Sequence, residues 1–436
     1  MHWNIKLGLT AAWVAAGTFF YLLLPLSLPF LLPLTAVAPL LWYHREGLAH
    51  RLRARSLLAR LLAVASAYLL INATWSSAPV LAFACIATFF VAAVVVHVVI
   101  ITAPLLARSP LHAMGVGLYA GYVVCALLLS IEIVFDHPLH LHFYNMFPKF
   151  APHHEPHAVV DAGVLKSLPE AFLNKHIAAL VFLAWPTLVI ATRIGASARS
   201  RAVLVACLLP AAVAILASAH ETSKIALVGG AIVFSSHMLA PRLIAPLLAV
   251  AWAVACLASA PLASVAYDRG LQHAEWLPAS ARHRIVIWDV TSAKIAEAPI
   301  LGHGMGSARE LGRQTKKRPT YAPGTPFRLS PGPHAHNAYL QVWLETGAVG
   351  AALLFGIGLW ALGAVSRTSV DIQPALYAAF ASNALLAASS FSIWASWFLA
   401  SHFFSAMFAV LVWSFVKSAG PDPHCDLPRR AQGGPA

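Results

Sequence analysis

The sequence predicts an all-α polytopic membrane protein of about twelve transmembrane helices, with one large, partly helical outer loop between spans 9 and 10. Three observations carry that prediction. Of the 436 residues, 59% are hydrophobic and only 10% are charged, where a soluble domain carries roughly 25% charge. The apolar runs are continuous and about 17–25 residues long, the length of a helical span and not of an alternating barrel strand. Arginines recur in every second short connection, as positive-inside asymmetry requires.

Taken in order, the runs place spans near 7–23, 26–43, 57–74, 79–103, 113–135, 176–192, 202–219, 225–240, 243–263, 338–365, 372–390 and 394–416. Pro25 to Pro29 divide the first two. With the N-terminus inside, the cytoplasmic connections hold Arg45, Arg51, Arg53, Arg55 and Arg60, then Arg108, then Arg193, Arg199 and Arg201, then Arg242, then Arg367. The short outer connections at Asn72–Pro79 and near Phe391 hold none. Residues 1–263 thus form spans 1–9, 264–337 the large outer loop, 338–416 spans 10–12, and 417–436 a Pro/Gly-rich cytoplasmic tail with Lys417, Arg429 and Arg430. The first apolar run passes into the second with no A-x-A site, which argues against a cleaved signal. Cys85, Cys125, Cys207 and Cys256 lie in apolar runs and Cys425 in the tail; no C-x-x-C pair suggests zinc or a disulfide framework.

Three outer segments stand apart. The connection 136–175 is rich in His, Pro and aromatics. Its His137/His140/His142 and His153/His154/His157 groups match no standard metal spacing, so no metal is expected, and Tyr144 and Phe147 read as membrane-edge anchors. The turn His220-Glu221-Thr222-Ser223-Lys224 is very short, and a lysine held between two apolar runs is a functional-site candidate by its cost. The loop 264–337 holds Arg269, Arg282, Arg284, Arg309, Arg313, Arg328 and the knot Lys316-Lys317-Arg318. Cations against an outer leaflet imply an anionic partner such as phosphate, pyrophosphate or a lipid headgroup; a solvated, headgroup-anchoring surface is the plainer reading of any one of them, less so for Arg284 and Lys224. Arg284 to Lys294 reads as an amphipathic helix with Ile285, Trp288 and Ile295 on one face. Gly302-His303-Gly304-Met305-Gly306 reads as a tight turn; no strand precedes it, which excludes a dinucleotide fingerprint.

The stretch Ser330 to Gly347 is where this basic loop becomes an apolar helix. Pro331 and Pro333 forbid helix, and Asn337 is a good N-cap for the run that follows. His336 therefore sits at a helix N-terminus, where the dipole favours an anion and disfavours a second proton on imidazole. A neutral histidine beside an anion site suits a general base; it also suits a plain capping residue. His334 cannot be separated from His336 by position. Glu345 follows His336 by nine residues, about 14 Å along a helix, so it points into the bundle and needs a structural partner there. Gly347, Gly350, Gly356 and Gly358 read as close helix packing.

These residues resemble a family. His336-Asn337, nine residues, Gly347, two residues and Gly350 are similar to the signature of bacterial O-antigen ligases, and Arg284-Ile285-Val286-Ile287-Trp288 followed by Pro299-Ile300-Leu301-Gly302-His303-Gly304 resembles a stretch of the same superfamily's large periplasmic loop. The motifs occupy about residues 220–360. The superfamily also contains O-antigen polymerases and protein O-oligosaccharyltransferases. The resemblance implies a GT-C-like glycosyltransferase in the bacterial inner membrane with a periplasmic active site. It would be inverting and metal-independent, and would need no cofactor or nucleotide sugar. Its donor would be O-antigen on undecaprenyl pyrophosphate and its acceptor a sugar hydroxyl of lipid A–core, with membrane lipid as its surroundings and no nucleic acid. The implied catalytic residues are His336 as base, with Arg284 and Lys224 on the diphosphate. Lys224 departs from the family's arginine and lacks its bidentate fork. Arg282, His334, Asn337, Arg328, Arg269 and His303 are the further candidates for substrate binding, and Glu345, Gly347 and Gly350 the structural ones. A polymerase or protein transferase using the same donor stays open. A transporter would need polar groups at mid-membrane, and the spans offer few: Glu132, near the outer end of one, and Glu345.

Overall fold

A computed structural model describes residues 2–43, 56–150, 158–161, 164–317 and 320–418. The apolar runs form helices α1 (His2–Leu23), α2 (Leu28–Tyr43), α3 (Leu57–Asn72), α4 (Pro79–Thr102) and α5 (Arg108–Val134), followed by a short α6 (Pro138–Met146) and a two-stranded antiparallel hairpin, β1 (Val159–Asp161) and β2 (Val164–Ser167). Then come α7 (Asn174–Ile194), α8 (Ala198–Ala206), α9 (Leu209–Ala217), α10 (Glu221–Leu239), α11 (Pro241–Leu257) and α12 (Ser259–Asp268). The last group is α13 (Ala279–Glu297), α14 (Ser307–Lys317), α15 (Ala338–Val365), α16 (Gln373–Ser389) and α17 (Ser396–Lys417).

Among the described residues, ten helical segments are long and apolar enough to cross a membrane, or eleven when the bent pair α11/α12 counts as one span. The remaining predicted span, 372–390, is α16, a helix of 17 residues. The all-α polytopic membrane fold is borne out, and three predicted spans differ in detail. The run at 202–219 is two helices, α8 and α9, parted where Pro210 at the start of α9 lacks a backbone donor. The run at 243–263 bends by 73° between α11 and α12, where Pro261 cannot donate to the Leu257 carbonyl one turn back. The third, α15, is broken at Gly347.

The large aliphatic and aromatic side chains of α1, α4, α5, α7 and α17 form the main core, with Tyr21, Tyr122, Phe182, Phe398, Phe404 and Phe408 fully buried. The connections sort to two ends. Arg193, in the last turn of α7, pairs with Asp371, before α16, so those two helix ends lie at one end of the bundle. At the other end His176 bonds the Leu23 carbonyl, Asn72 bonds the Leu301 and Glu345 carbonyls, and His220 meets Ser390. The predicted arginines 45–55, the histidines 153–157, Arg318 and the tail from 419 lie outside the described residues.

Part of the 136–175 connection is the helix α6, started by Glu132. This buried carboxylate accepts from the Leu139 and His140 backbone at 2.7 and 3.2 Å and meets His140 Nδ1 at 2.7 Å. It satisfies the free donors of α6's first turn, which explains why an acid ends the preceding apolar helix.

The large loop is built mainly on α13 and α14. α13 buries Ile285, Val286, Ile287, Thr291 and Ile295. The glycine turn 302–306 inserts against α15, with positive φ at Gly302, Gly304 and Gly306 (70°, 91°, 83°). At Gly347 (φ 61°, ψ −162°) the helical ladder opens. Ala348 and Val349 donate instead to the Pro299 and Ile300 carbonyls, while His303 and Gly304 donate to those of Leu344 and Glu345. Gly347 is therefore not the helix-packing residue expected from its sequence. It is the point where α15 yields its hydrogen bonds to the loop, in a region of φ/ψ space nearly confined to glycine.

Candidate functional site

The site grows from helix α13. Arg284 and Trp288 are four residues apart and so share one helix face. Trp288 Nε1 donates to the Ala335 carbonyl at 2.9 Å, and the Arg284 guanidinium donates to Ser389 Oγ at 3.2 Å. One face thus holds the segment before α15 and the junction between α16 and α17. Ala335 is fully buried between His334 and His336. The two imidazoles lie 4.0 Å apart by ring centroid. His336 adopts φ 51°, and its backbone N–H donates to His334 Nδ1 at 3.2 Å. A left-handed backbone at a non-glycine residue costs energy that the surrounding bonds must offset.

His336 Nδ1 lies 3.1 Å from the Ser390 carbonyl oxygen. A carbonyl only accepts, so Nδ1 carries the proton and a neutral ring keeps its free lone pair on Nε2. Burial lowers the pKa of His336, the Ser390 bond partly offsets this, and the charge of Arg284 and the neighbouring His283 lower it further. His334 is pushed down to about 3 by burial, by His336 and by the Arg284 and Arg309 charges. Both rings are neutral near pH 7.

A cavity of about 370 Å³ opens here, with Ser280, His283, Arg284, Thr315, Arg328, Ser330 and His336 in its wall. Arg328 reaches it from a small hairpin closed by the Tyr321–Arg328 bridge. Phe327 of that hairpin stacks on His283 (5.2 Å, 16°) and lies under Arg282 (5.9 Å). Beneath this corner a second, mostly apolar cavity of about 610 Å³ runs between α3, α4, α15, α16 and α17. Its wall extends from Ala338, Tyr339 and Trp394 beside the site to Arg367, Thr368 and Trp413 toward the other end of the bundle.

Sequence candidates fare differently. Arg284, His336 and Arg328 line one cavity, and His334 and Arg282 adjoin it. Asn337 caps α15, its side-chain oxygen accepting from the Tyr339 and Leu340 N–H groups at 3.0 and 3.1 Å. Lys224 lies in the first turn of α10, whose Thr222 touches the Ser389 corner, but its ammonium pairs with Glu221 at 2.8 Å and is not in the cavity wall. His303 belongs to the glycine turn, with Nε2 2.8 Å from the Lys294 carbonyl, and Arg269 is exposed at the end of α12. Glu345 is fully buried and accepts from the Gly306 and Ala308 N–H groups at 2.8 and 3.1 Å; it fastens the glycine turn, away from the cavity. A Cβ on Gly350 would overlap the Thr346 side chain.

Sequence reasoning missed the Ser389–Ser390 junction, His283 and His220. Two serines in a short connection carry no pattern of their own. His220 lies in the same short turn as Lys224, and an uncharged histidine there carries no spacing signal of its own.

Residues 179–355 match the family model described as O-antigen ligase. Proteins named "Putative polysaccharide ligase" from Rickettsia typhi, Rickettsia prowazekii and Rickettsia conorii are 31%, 32% and 31% identical to this chain over 124, 124 and 123 residues. Each alignment covers 28% of this chain and 30%, 30% and 29% of the relative, so the chain matches under a third of those relatives' length.

Proposed function

We propose that the protein is a polysaccharide ligase, a reading supported by the match of residues 179–355 to the O-antigen ligase family model. In this reading it moves O-antigen glycan from undecaprenyl pyrophosphate to a sugar hydroxyl of lipid A–core, at the periplasmic face of the inner membrane. The observation that carries it is the joint anchoring of Arg284 and His336 to Ser389 and Ser390 in the wall of one cavity. An acceptor, a base and a cation for the leaving group need that adjacency.

His336 Nε2 takes the proton of the acceptor hydroxyl as its oxygen attacks the anomeric carbon. The bond from that carbon to the diphosphate oxygen breaks, the electron pair leaves with the diphosphate, and the configuration inverts. Arg284 meets the negative charge that accumulates, with Arg328 at the same cavity. Polyprenyl diphosphate is already a good leaving group, so no general acid is required. Lys224 exchanges Glu221 for a phosphate oxygen when the donor binds. The 610 Å³ groove, which starts beside His336 at Ala338, takes the prenyl chain. The names borne by the relatives favour ligase over polymerase.

The test is purified protein in lipid with polyprenyl-pyrophosphate-linked O-antigen and lipid A–core. His336→Ala should lower transfer by about 10²–10⁴-fold with an unchanged unfolding temperature, and the acid limb of the wild-type pH profile should lie below the usual imidazole value of about 6.5. Wild-type turnover in His336→Ala refutes the base assignment. Extension of the donor glycan with lipid A–core ignored makes the protein a polymerase.

A further inference from the structure

From the start of α10 a further histidine, His220, approaches the site through Ser390. His220 Nδ1 lies 2.6 Å from Ser223 Oγ, and its Nε2 lies 3.3 Å from Ser390 Oγ. Its ring packs on Phe391 at 5.4 Å. Two residues on, Thr222 Oγ1 donates to the Ser389 carbonyl at 2.9 Å. The same two serines hold the site on their other side, Ser389 through its hydroxyl to Arg284 and Ser390 through its carbonyl to His336. Ser390 has left the helix (φ −120°, ψ −108°), so no intrahelical ladder fixes the direction of that carbonyl. What fixes it is the side chain of Ser390 on His220, the Thr222 bond and Phe391 between His220 and Trp397 (4.8 Å).

We infer that His220 is a positioning residue for this chemistry: through Ser390 it aims the carbonyl that selects the His336 tautomer, and the 220–224 turn acts on the site by this route as well as by the charge of Lys224. The inference rests on the ligase reading above. His220 is 6% exposed and touches no wall of the cavity, so it does not compete as the base. Burial and the Arg284 charge hold its pKa at about 4, which keeps it a neutral hydrogen-bonding group at working pH. Arg284, from α13, is the charge that acts on it, while Lys224 and Glu221 in the first turn of its own helix pair with each other.

Three variants in the same transfer assay test this. His220→Ala should lower kcat about 10–100-fold with the donor KM within about twofold, since alignment and not binding is lost. The acid limb should move to lower pH, because the Ser390 carbonyl is the contact that raises the His336 pKa. Ser390→Ala removes one hydroxyl and leaves the carbonyl, so folding is spared; it should show a smaller loss of the same kind. The double variant should be no slower than His220→Ala alone, since both break one link. His220→Asn, which keeps a neutral donor and acceptor, should recover part of kcat. Wild-type kcat in His220→Ala while His336→Ala is inactive overturns the inference and leaves the ligase reading standing. Multiplying losses in the double variant, or a KM-only effect, also overturn it. Wild-type kcat in His336→Ala removes the reading beneath it.

Discussion

Replacing Gly347 by alanine should break the seam between α15 and the large loop. Two costs can be read from the geometry. The residue sits at φ 61°, ψ −162°, a region that costs a side-chain-bearing residue about 1–3 kcal/mol. The new Cβ would also overlap the Ile300 carbonyl group and approach Gly302 N to 2.6 Å. These are backbone atoms that cannot swing aside, and such overpacking costs about 1–3 kcal/mol. The expected loss is therefore about 2–6 kcal/mol from the two sources together. It is concentrated on the bonds from Ala348 to Pro299 and from Gly304 to Glu345. Gly356→Ala is the control, for its Cβ would find only Leu61 Cδ2, at 3.9 Å. That substitution should be neutral or slightly stabilising, since alanine gains up to about 1 kcal/mol over glycine inside a helix. Thermal unfolding of both variants in lipid nanodiscs at one scan rate reads the difference, and transfer should fall in Gly347→Ala alone. Equal midpoints for the two variants would refute the account of the seam.

Three further outcomes are expected. Glu345→Gln should lower the unfolding midpoint without changing the acid limb of activity, because the amide must turn a donor toward the Gly306 or Ala308 N–H and leave a buried group unpaired at about 1–3 kcal/mol; a shifted limb would place Glu345 in the chemistry. Lys224→Ala should raise the donor KM about tenfold and Lys224→Arg should recover it, whereas loss of its exposed pair with Glu221 alone is worth under about 1 kcal/mol; equal losses in both variants point to shape rather than charge. The contribution of His220 and His334 to stability should fall as pH drops below about 6.5. Unfolded imidazoles take up protons there, while folded His220 and His334 resist until about 4 and 3, so their contribution is complete above 6.5 and lost as pH falls toward those values. Unfolding scans of His334→Asn and His220→Asn should show a shallower decline, and an unchanged slope in both would be the contrary result.

The sequence by itself determined the class of the molecule, the approximate position of its apolar helices and the resemblance carried by residues 220–360. Each of these depends on runs of hydrophobicity or on short local spacings, which are properties of contiguous residues. Arg284 with Trp288 was legible as one short motif of the resemblance, and Asn337 as a cap. What the tertiary structure alone decided was which distant atoms share a hydrogen bond. Glycine at 347 is equally at home in a packed helix or a broken one, and only the approach of residues 299–304 makes the break the lower-energy state. Ser389 and Ser390 mean nothing until α13, α10 and the turn before α15 arrive around them from stretches more than fifty residues away. Lys224 shows the converse: its charge was evident from the chain, but Glu221 one turn earlier takes the ammonium in this structure.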